Sequence, residues 1–413
     1  MTDRWFLTTS PLALALTVTL VACGGNSSAP TQPSSDNAVP IEIDTSTSTP
    51  APDTFTPPET SFFDLGFDLP VGTRPGFEGS PFSANSFPLN EMASVLPRDA
   101  IPAITNPTMV RQDNVDYLSD NDLVFGIVIN GDARAYPHNI GWWHEIVNDV
   151  VGGHPVSITF CPLTGTGLVF DGALPDGRRL DLGVSGLLYN TNLVMFDRRN
   201  DTLYPQIYAA SITGDTKGEA LALMPVVETT WSAWKRLYPE TRVIARGPYP
   251  RTRYTEYPYG NYRTDNRDFL FSIRPSLSTN INDYAIDFPA KGRVLGVRID
   301  AEARAYPFEK MGSQRVVNDV LGGLEIAVVF DAGSEMIIPY SRRLDGQVLS
   351  FSIEDDGSFP FSLRDAETGS LWDIRGRAIE GELKGQQLTQ VPAHNAMWFA
   401  WVTFWPNTDV WMP

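Results

Sequence analysis

The stretch Ala133-Arg134-Ala135-Tyr136-Pro137 decides the fold, because the same five residues recur as Ala303-Arg304-Ala305-Tyr306-Pro307. The two copies are 170 residues apart (303 − 133). Residues 147–150 (Val-Asn-Asp-Val) and the pair Gly152-Gly153 each recur at the same shift. A fixed period of this kind is typical of a repeated structural unit. The chain is therefore predicted to contain one domain twice.

A second set of matches lies near the end of each copy, at a shift of 167 residues (392 − 225). The matching positions are Pro225, Trp231, Trp234, Pro239 and Thr241 in the first copy and Pro392, Trp398, Trp401, Pro406 and Thr408 in the second. Five positions at unchanged spacing, after a gap of three, are hard to produce by chance. We therefore place repeat 1 at residues 91–241 and repeat 2 at residues 291–413, with an aromatic linker at residues 242–290.

Local patterns predict a β-rich order of elements in each copy. In the first copy, residues 124–129 read as a strand, Asn130-Gly131 as a hairpin turn and residues 133–136 as the return strand. A helix follows in the prediction, since Ile140, Trp143, His144, Val147 and Val151 have helical spacing, and Gly152-Gly153 would end it. Further strands are expected at 156–160, 167–170, 187–189 and 193–196, and a closing helix at 230–237. We predict an α+β fold: an internally duplicated, β-rich domain with short helices and two pseudo-equivalent halves.

Composition bounds the function. The chain has 413 residues, 42% of them hydrophobic, which is enough for a sizeable packed core. Its net charge of -18 and pI of about 4.6 argue against a sequence-independent grip on nucleic acid. No nucleic-acid partner is expected.

The N-terminus predicts a targeting segment at residues 1–23. Arg4 precedes a mostly apolar run that ends as Leu20-Val21-Ala22-Cys23, which resembles the lipobox of bacterial lipoproteins. In that resemblance Cys23 is lipidated and becomes the new N-terminus, and Gly24 after it favours the outer membrane. An ordinary secretory signal or a membrane anchor is the alternative. Residues 24–90 read as a Ser/Thr/Pro-rich disordered tether and an extended arm.

Cysteine usage singles out one turn. Cys23 and Cys161 are the two cysteines of the chain, so a lipidated Cys23 leaves Cys161 without a disulfide partner. Cys161 lies in FCPLTGTG, residues 160–167, between two predicted strands. Free backbone N–H groups in such a Gly-containing loop favour a thiolate or a bound anion. The alternative is a small buried hydrophobe, because free cysteine is among the most buried residue types.

The two copies differ at the residues that could carry chemistry. At the shift of 170, the first copy has a histidine, an acid, a second histidine and the cysteine where the second has other types: His144 against Gln314, Glu145 against Arg315, His154 against Leu324 and Cys161 against Asp331. The candidate site is therefore placed in repeat 1, and repeat 2 is predicted to be scaffold.

Two chemistries fit these residues. A thiolate with imidazoles suits copper or zinc, with Cys161, His144 and His154 as the speculative ligands. A nucleophilic or redox thiol would use Cys161 with His144 as base, oriented by Glu145 or Asp149. His144 also lies on the apolar stripe of its predicted helix, where a core histidine is the alternative.

Several longer motifs resemble the bacterial and archaeal family DUF3179, a domain of unknown function. They span most of residues 95–413: DAIPAI at 99–104, NGDARAYP at 130–137, HEIVND at 144–149, FCPL at 160–163, GVSGLLYN at 183–190, GSLWD at 369–373 and WFAW at 398–401. The resemblance implies no established activity. The family usually reads Cys-Pro-Leu-Cys at the turn, and Thr164 stands here in place of the second cysteine. A paired-thiol role is therefore questionable for this chain, whereas a single thiol with a nearby hydroxyl still fits.

The sequence thus predicts an envelope lipoprotein, anchored in the membrane through its N-terminal lipid and facing the periplasm or the cell surface. Its single candidate site would bind a transition metal or use the thiol of Cys161. The alternative is a non-catalytic binding or scaffold module for a cell-envelope glycan or protein. That alternative is suggested by the tyrosines of the linker, which are Tyr249, Tyr254, Tyr257, Tyr259 and Tyr262.

Overall fold

The computed structural model describes residues 76–174, 177–269, 289–354 and 358–413. The predicted signal segment with Cys23, residues 24–75 of the tether and residues 270–288 of the linker lie outside these ranges. The described residues form a β-rich structure with short helices, which confirms the α+β part of the predicted fold class.

The first half consists of short strands with three short α-helices among them. In chain order they are β1 (Ala93–Ser94), β2 (Ile104–Thr105), β3 (Met109–Arg111), β4 (Leu123–Ile129), β5 (Asp132–Pro137), α1 (His138–His144), β6 (Ile146–Val151), β7 (His154–Cys161), β8 (Thr166–Asp171), β9 (Leu182–Tyr189), β10 (Asn192–Asp197), β11 (Leu203–Pro205), β12 (Leu223–Met224), β13 (Val227–Thr230), α2 (Trp231–Leu237), β14 (Arg242–Ile244) and α3 (Arg251–Tyr254).

The second half continues with strands and one α-helix. They are β15 (Arg293–Ile299), β16 (Glu302–Pro307), β17 (Gln314–Leu321), β18 (Leu324–Asp331), β19 (Met336–Ser341), β20 (Arg343–Leu344), β21 (Gln347–Val348), β22 (Phe351–Ile353), β23 (Ser362–Asp365), β24 (Leu371–Asp373), β25 (Ala378–Glu380), β26 (Ala393–Met397), α4 (Trp398–Phe404) and β27 (Asp409–Val410). Three 3₁₀ helices complete the described elements, at Leu89–Glu91, Gln112–Asn114 and Phe308–Lys310.

The repeated stretch Ala-Arg-Ala-Tyr-Pro, at residues 133–137 and 303–307, lies at the centre of one sheet in each half. Strand β5 pairs with β4 in the order β13-β4-β5-β14-β3, and β16 pairs with β15 in the order β26-β15-β16-β27. In the first sheet β14 runs parallel to β5, and in the second sheet β27 runs parallel to β16. Asn130 and Gly131 make the predicted hairpin turn with φ values of 49° and 79°.

The helix predicted through Val151 is wrong beyond His144. Glu145 has a φ of 56°, and its N–H donates to the Gly141 carbonyl (3.0 Å), which ends α1. The next residues form β6, which pairs with β7 and is buried on both faces along most of its length. Because such a strand is apolar on both sides, its sequence can imitate helical spacing. The pair Gly152-Gly153 is therefore a hairpin turn rather than a helix stop.

A buried tryptophan closes each central sheet. The Nε1–H of Trp234 donates to the Thr241 hydroxyl (2.8 Å), and the Nε1–H of Trp401 donates to the Thr408 hydroxyl (2.8 Å). Each indole lies against a glycine of the central strand: a Cβ on Gly126 would come within 2.2 Å of the Trp234 ring, and one on Gly296 within 2.1 Å of the Trp401 ring. The close approach of ring to backbone requires glycine at both positions.

A carboxylate ties the return strand to the next hairpin in each half. Asp149 accepts hydrogen bonds from Arg134 (2.7 Å) and from the Tyr136 hydroxyl (2.6 Å). Asp319 accepts the same pair of bonds from Arg304 (2.7 Å) and from the Tyr306 hydroxyl (2.7 Å). These contacts explain why Arg, Tyr and Asp match between the halves.

We predict that Asp149→Ala is more damaging than Asp319→Ala. The Asp149 side chain is 6% exposed and that of Asp319 is 19% exposed, so the first change removes the more deeply buried carboxylate and leaves Arg134 with Asp132 alone as its ion-pair partner. The expected loss in the free energy of unfolding is about 3–5 kcal/mol for Asp149→Ala. It is about 1–3 kcal/mol for Asp319→Ala. Denaturant unfolding measures both, with the exposed Asp215→Ala as the control. Equal losses in the two variants would contradict this account.

Candidate functional site

The FCPLTGTG turn joins β7 to β8, where Cys161 pairs with Thr166 across the ladder. Its carbonyl groups are held by the surrounding chain. The hydroxyls of Tyr257 and Tyr262 donate to the carbonyls of Pro162 (3.1 Å) and Leu163 (3.0 Å), and the N–H of Met397 donates to the carbonyl of Thr164 (2.8 Å). The linker and the second half therefore both fix this turn.

Cys161 is a buried member of an apolar cluster. Its side chain is 1% exposed, and its Sγ lies 3.7 Å from the Thr191 carbonyl. Burial, with the nearby charge of Glu145, raises the pKa of the Cys161 thiol to about 11. The thiol is therefore protonated at neutral pH. These features favour the alternative of a small buried hydrophobe over a reactive thiolate.

His144 has its own partners. Its Nδ1 lies 2.8 Å from the Pro102 carbonyl and its Nε2 lies 2.8 Å from the Tyr254 hydroxyl. Because a carbonyl can only accept, Nδ1 carries the hydrogen and Nε2 accepts from the tyrosine. Burial lowers the pKa of His144. Both ring nitrogens are thus occupied, and His144 is a satisfied core histidine rather than a base for Cys161.

The other predicted site residues are also dispersed. The Nε2 of His154 lies 2.7 Å from a carboxylate oxygen of Asp171, and Asp149 is held by Arg134 and Tyr136. Glu145 is close enough to Cys161 to influence its pKa, and burial raises the pKa of Glu145 itself to about 8. Neither acid is hydrogen-bonded to His144 among the contacts of the described residues.

The predicted metal ligands do not assemble. Within residues 76–174, 177–269, 289–354 and 358–413, no three His, Cys, Asp or Glu side chains are grouped so that they could hold a metal ion. Cys161, His144 and His154 have separate neighbours. The copper or zinc centre expected from these three residues is therefore corrected.

Thr164, which stands where the family pattern has a second cysteine, belongs to a buried polar network. Its hydroxyl is hydrogen-bonded to the Thr166 hydroxyl (2.8 Å) and accepts from the Asn192 amide (3.0 Å). Thr166 in turn donates to Gln206 (2.8 Å). Thr164 thus holds the turn in place.

A cleft of about 420 Å³ opens beside the turn, and we call it the central cleft. Its lining residues come from residues 121–123, α1, the FCPLTGTG turn, β13, the linker, the start of the second half, the turn between β18 and β19, and Met397. These lining residues include Phe160, His138, Trp142, Glu228, Tyr257, Arg263, Lys291, Arg293 and Glu335. Repeat 2 was predicted to be scaffold, yet it supplies three of these residues.

His138, Glu228 and Arg293 form the buried wall of the central cleft. The His138 ring lies between Phe125 (4.5 Å between ring centroids) and Phe160 (4.4 Å), with its Nε2 3.6 Å from Oε1 of Glu228. That Nε2 is buried and makes no hydrogen bond within the described residues. Burial, followed by the charges of Arg293 and Arg263, lowers the pKa of His138 well below its usual range. The imidazole is therefore neutral.

Glu228 and Arg293 are ion-paired at 2.6 Å. Burial raises the pKa of Glu228, and the charge of Arg293 partly offsets that effect. Arg293 comes from β15 and Glu228 from β13, so this pair connects the two halves.

A second wall of the cleft is aromatic and consists of the buried Trp142, the half-buried Tyr257 and the exposed Arg263. Trp142 and Tyr257 meet edge to face with ring centroids 5.5 Å apart. The Arg263 guanidinium lies 4.9 Å from the centroid of Tyr257 and 5.7 Å from that of Trp142. No carboxylate in the described part of the chain is ion-paired with Arg263.

Lys291 also lines the cleft and is buried. Its Nζ donates to the backbone carbonyls of Tyr262 and Asp268, and it lies 3.4 Å from the centroid of the Tyr262 ring. The linker tyrosines are thus mostly internal: Tyr254 and Tyr262 are fully buried, and Tyr257 is half-buried at the cleft.

Differences between the two copies also mark residues of the central cleft. At the shift of 170, His138 matches Phe308 and Trp142 matches Gly312, and at the shift of 167 Glu228 matches Asn395. The same comparison that singled out Cys161 would therefore have singled out these three residues. Arg263 lies in the linker and has no counterpart for such a comparison.

Comparison with known proteins gives one match. A family model described as "Protein of unknown function (DUF3179)" matches residues 98–408. No curated protein and no solved structure matches the chain. Among the described helices, none is long and apolar enough to cross a membrane.

We predict that the Cys161 thiol is inert in the folded protein. In a Cys23→Ala background, iodoacetamide should alkylate it slowly at neutral pH and rapidly after unfolding, because the thiol is enclosed and protonated. The rate in the folded state should rise only as the pH approaches about 11. Mass spectrometry of the modified chain measures this, with Cys23→Ala/Cys161→Ala as the blank. Rapid labelling at neutral pH in the folded state would contradict the burial argument.

Proposed function

We propose that this chain, which belongs to the DUF3179 family, is a binding protein of the bacterial cell envelope that holds an acidic sugar ring of a glycan in the central cleft. One observation carries the proposal: aromatic rings and the cations Arg263, Lys291 and Arg293 meet in one cleft of about 420 Å³. Asp122, Glu228 and Glu335 line the same cleft. Arg293 is paired with both glutamates and Lys291 is bound to backbone carbonyls, whereas Arg263 has no carboxylate partner within the described residues.

The aromatic wall accounts for a ring-shaped ligand. Trp142 and Tyr257 offer flat apolar surfaces beside polar groups, an arrangement that suits the C–H faces and hydroxyls of a sugar. A cleft of this size falls in the range of about 300–1,000 Å³ found for small-molecule sites. One or two sugar rings match that volume.

The charges account for an acidic ligand. Arg263 has no carboxylate partner within the described residues and is held over Tyr257 and Trp142, so its planar donors are pre-positioned for an incoming carboxylate. His138 is neutral and partly enclosed, so it offers a polar group without adding a buried charge. An acidic sugar would gain both the stacking and the ion pair.

The thiol-based and metal-based functions have weaker support. Cys161 is protonated and enclosed, and it does not contribute to the central cleft. Binding in the cleft is independent of that residue, which separates the two ideas experimentally.

We also infer that the two halves are copies of one ancestral unit. Support comes from the matching sheet orders, from the Trp–Thr hydrogen bonds and from the Arg–Tyr–Asp contacts that recur at the same positions. The halves then diverged, and the central cleft was formed by residues that differ between them.

The proposed anchor is a lipid on Cys23, which would hold the protein at the periplasmic or outer surface of an outer membrane. The lipobox-like sequence Leu20-Val21-Ala22-Cys23 supports this proposal. A Ser/Thr/Pro-rich segment between the lipid and the folded part would let the cleft reach glycans of the envelope.

For the central cleft we predict binding of N-acetylmuramic or glucuronic acid in preference to the neutral N-acetylglucosamine or glucose. Arg263→Gln should weaken binding of the acids about 10- to 100-fold, because a charge-assisted hydrogen bond is worth about 1.5–3 kcal/mol. Its effect on the neutral sugars should be small. Trp142→Ala should weaken binding of both classes. Isothermal titration calorimetry measures the affinities.

The matched control for this experiment is Arg267→Gln in the same segment, since Arg267 is 93% exposed and does not line the cleft. If the wild-type protein binds neither acid, or if Arg267→Gln reduces affinity as much as Arg263→Gln, the proposed function is wrong.

For the anchor we predict that Cys23→Ala abolishes incorporation of labelled palmitate in bacterial cells and releases the protein into the soluble fraction. Cys161→Ala should keep the label, because the buried thiol is not the acceptor. Label that persists in Cys23→Ala, or that is lost in Cys161→Ala, would overturn the proposed anchor.

A further inference from the structure

Arg293 lies between two carboxylates whose environments differ. Its Nη2 pairs with Oε1 of Glu228 (2.6 Å), whose side chain is 6% exposed. Its Nη1 pairs with Oε2 of Glu335, whose side chain is 47% exposed. One partner is therefore part of the buried wall, whereas the other reaches the same guanidinium from the solvent side.

The ring of Phe308 fixes Arg293 from a third direction, with the guanidinium 4.4 Å from the ring centroid. The remaining titratable groups that line the cleft are Asp122, His138, Arg263 and Lys291. Asp122 accepts from the Ser119 N–H (2.8 Å), and Lys291 is bound to backbone carbonyls. Glu335 is thus the exposed acid of the cleft that occupies Arg293.

The backbone of Glu335 is unusual for its residue type. Glu335 lies in the turn between β18 and β19 with a φ of 51°, a left-handed conformation that glycine adopts at little cost and glutamate does not. At the shift of 170 its counterpart is Gly165 in the FCPLTGTG turn, which has a φ of 63°. The second half therefore carries a glutamate at a position where the equivalent turn has glycine.

A residue held in an unfavourable backbone conformation points to a role for its side chain, because glycine would relieve the strain. The only contact of the Glu335 carboxylate within the described ion pairs is the one with Arg293. The role that the geometry offers is to occupy Arg293 when the cleft holds no ligand.

We propose that Glu335 is an internal competitor: its carboxylate occupies Arg293, which would otherwise join Arg263 in binding the carboxylate of an acidic ligand, and it moves into solvent when that ligand binds. This inference rests on the proposed function. Glu228 cannot be the group that leaves, because it is enclosed and its departure would strand a buried charge. An exposed pair such as Arg293–Glu335 is weak enough to be exchanged for a ligand.

Two consequences follow for recognition. An acidic ligand must displace Glu335, so the protein binds acids less tightly than its cations alone would allow. A neutral sugar leaves the Arg293–Glu335 pair intact, and its affinity does not depend on Glu335.

The experiment compares Glu335→Gln and Glu335→Gly with the full wild-type protein, using glucuronic and N-acetylmuramic acids and the neutral N-acetylglucosamine as probes in isothermal titration calorimetry. Removing the competitor should raise the affinity for the acids about 2- to 5-fold, which corresponds to an exposed ion pair of up to about 1 kcal/mol. Affinity for the neutral sugar should not change. Glu335→Gly should in addition raise the melting temperature, since glycine accepts the turn conformation.

The matched control is Glu325→Gln, which removes an acid from the Arg343 pair (2.8 Å) outside the cleft and should change no affinity. If the wild-type protein binds the acids but both Glu335 variants bind them equally or more weakly, the competitor is excluded and the binding function stands. If neither the wild type nor any variant binds an acid, the proposed function fails and the competitor fails with it.

Discussion

The ion pair between the buried Glu228 and the partly exposed Arg293 is the interaction on which the central cleft depends. It connects β13 of the first half with β15 of the second, and removing Arg293 would leave the Glu228 carboxylate unpaired in an enclosed site. Neighbouring hydrogen bonds support the same junction. The N–H and hydroxyl of consecutive threonines, Thr230 and Thr229, both donate to the Ser334 carbonyl (2.9 and 2.8 Å). The cleft is therefore formed where the halves are held most firmly.

Two halves with matching packing residues form an asymmetric cleft because the residues that line it do not match. The Trp–Thr and Arg–Tyr–Asp contacts recur in each half and fix the strands. Phe308 and Asn395, which stand in the second half where the first has His138 and Glu228, carry no titratable group. Similar backbones thus place an imidazole beside a carboxylate in one half, and an aromatic ring and an amide in the other.

Local patterns in the sequence predicted much of the fold, because hairpins and caps are decided by nearby residues. The Asn130-Gly131 turn and α2 both follow from such signals. The extension of α1 failed because a strand buried on both faces has the same apolar density as an amphipathic helix. The central cleft was missed because His138, Glu228, Arg263 and Arg293 are far apart in the chain and meet only through tertiary packing.

The unpaired Cys161 has a different explanation from the one its sequence context suggests. An unpaired thiol can be kept because it is enclosed as well as because it is reactive. Thiol oxidation requires the thiolate and access to the oxidant, and burial among apolar side chains removes both. A lone cysteine is therefore compatible with an oxidising compartment, provided that it is enclosed. The hydroxyl of Thr164 contributes to that enclosure, because it joins Thr166 and Asn192 in a network that no second thiol enters. The turn that carries Cys161 serves the molecule by shaping the cleft with Phe160, Pro162 and Gly165, and its thiol is internal packing.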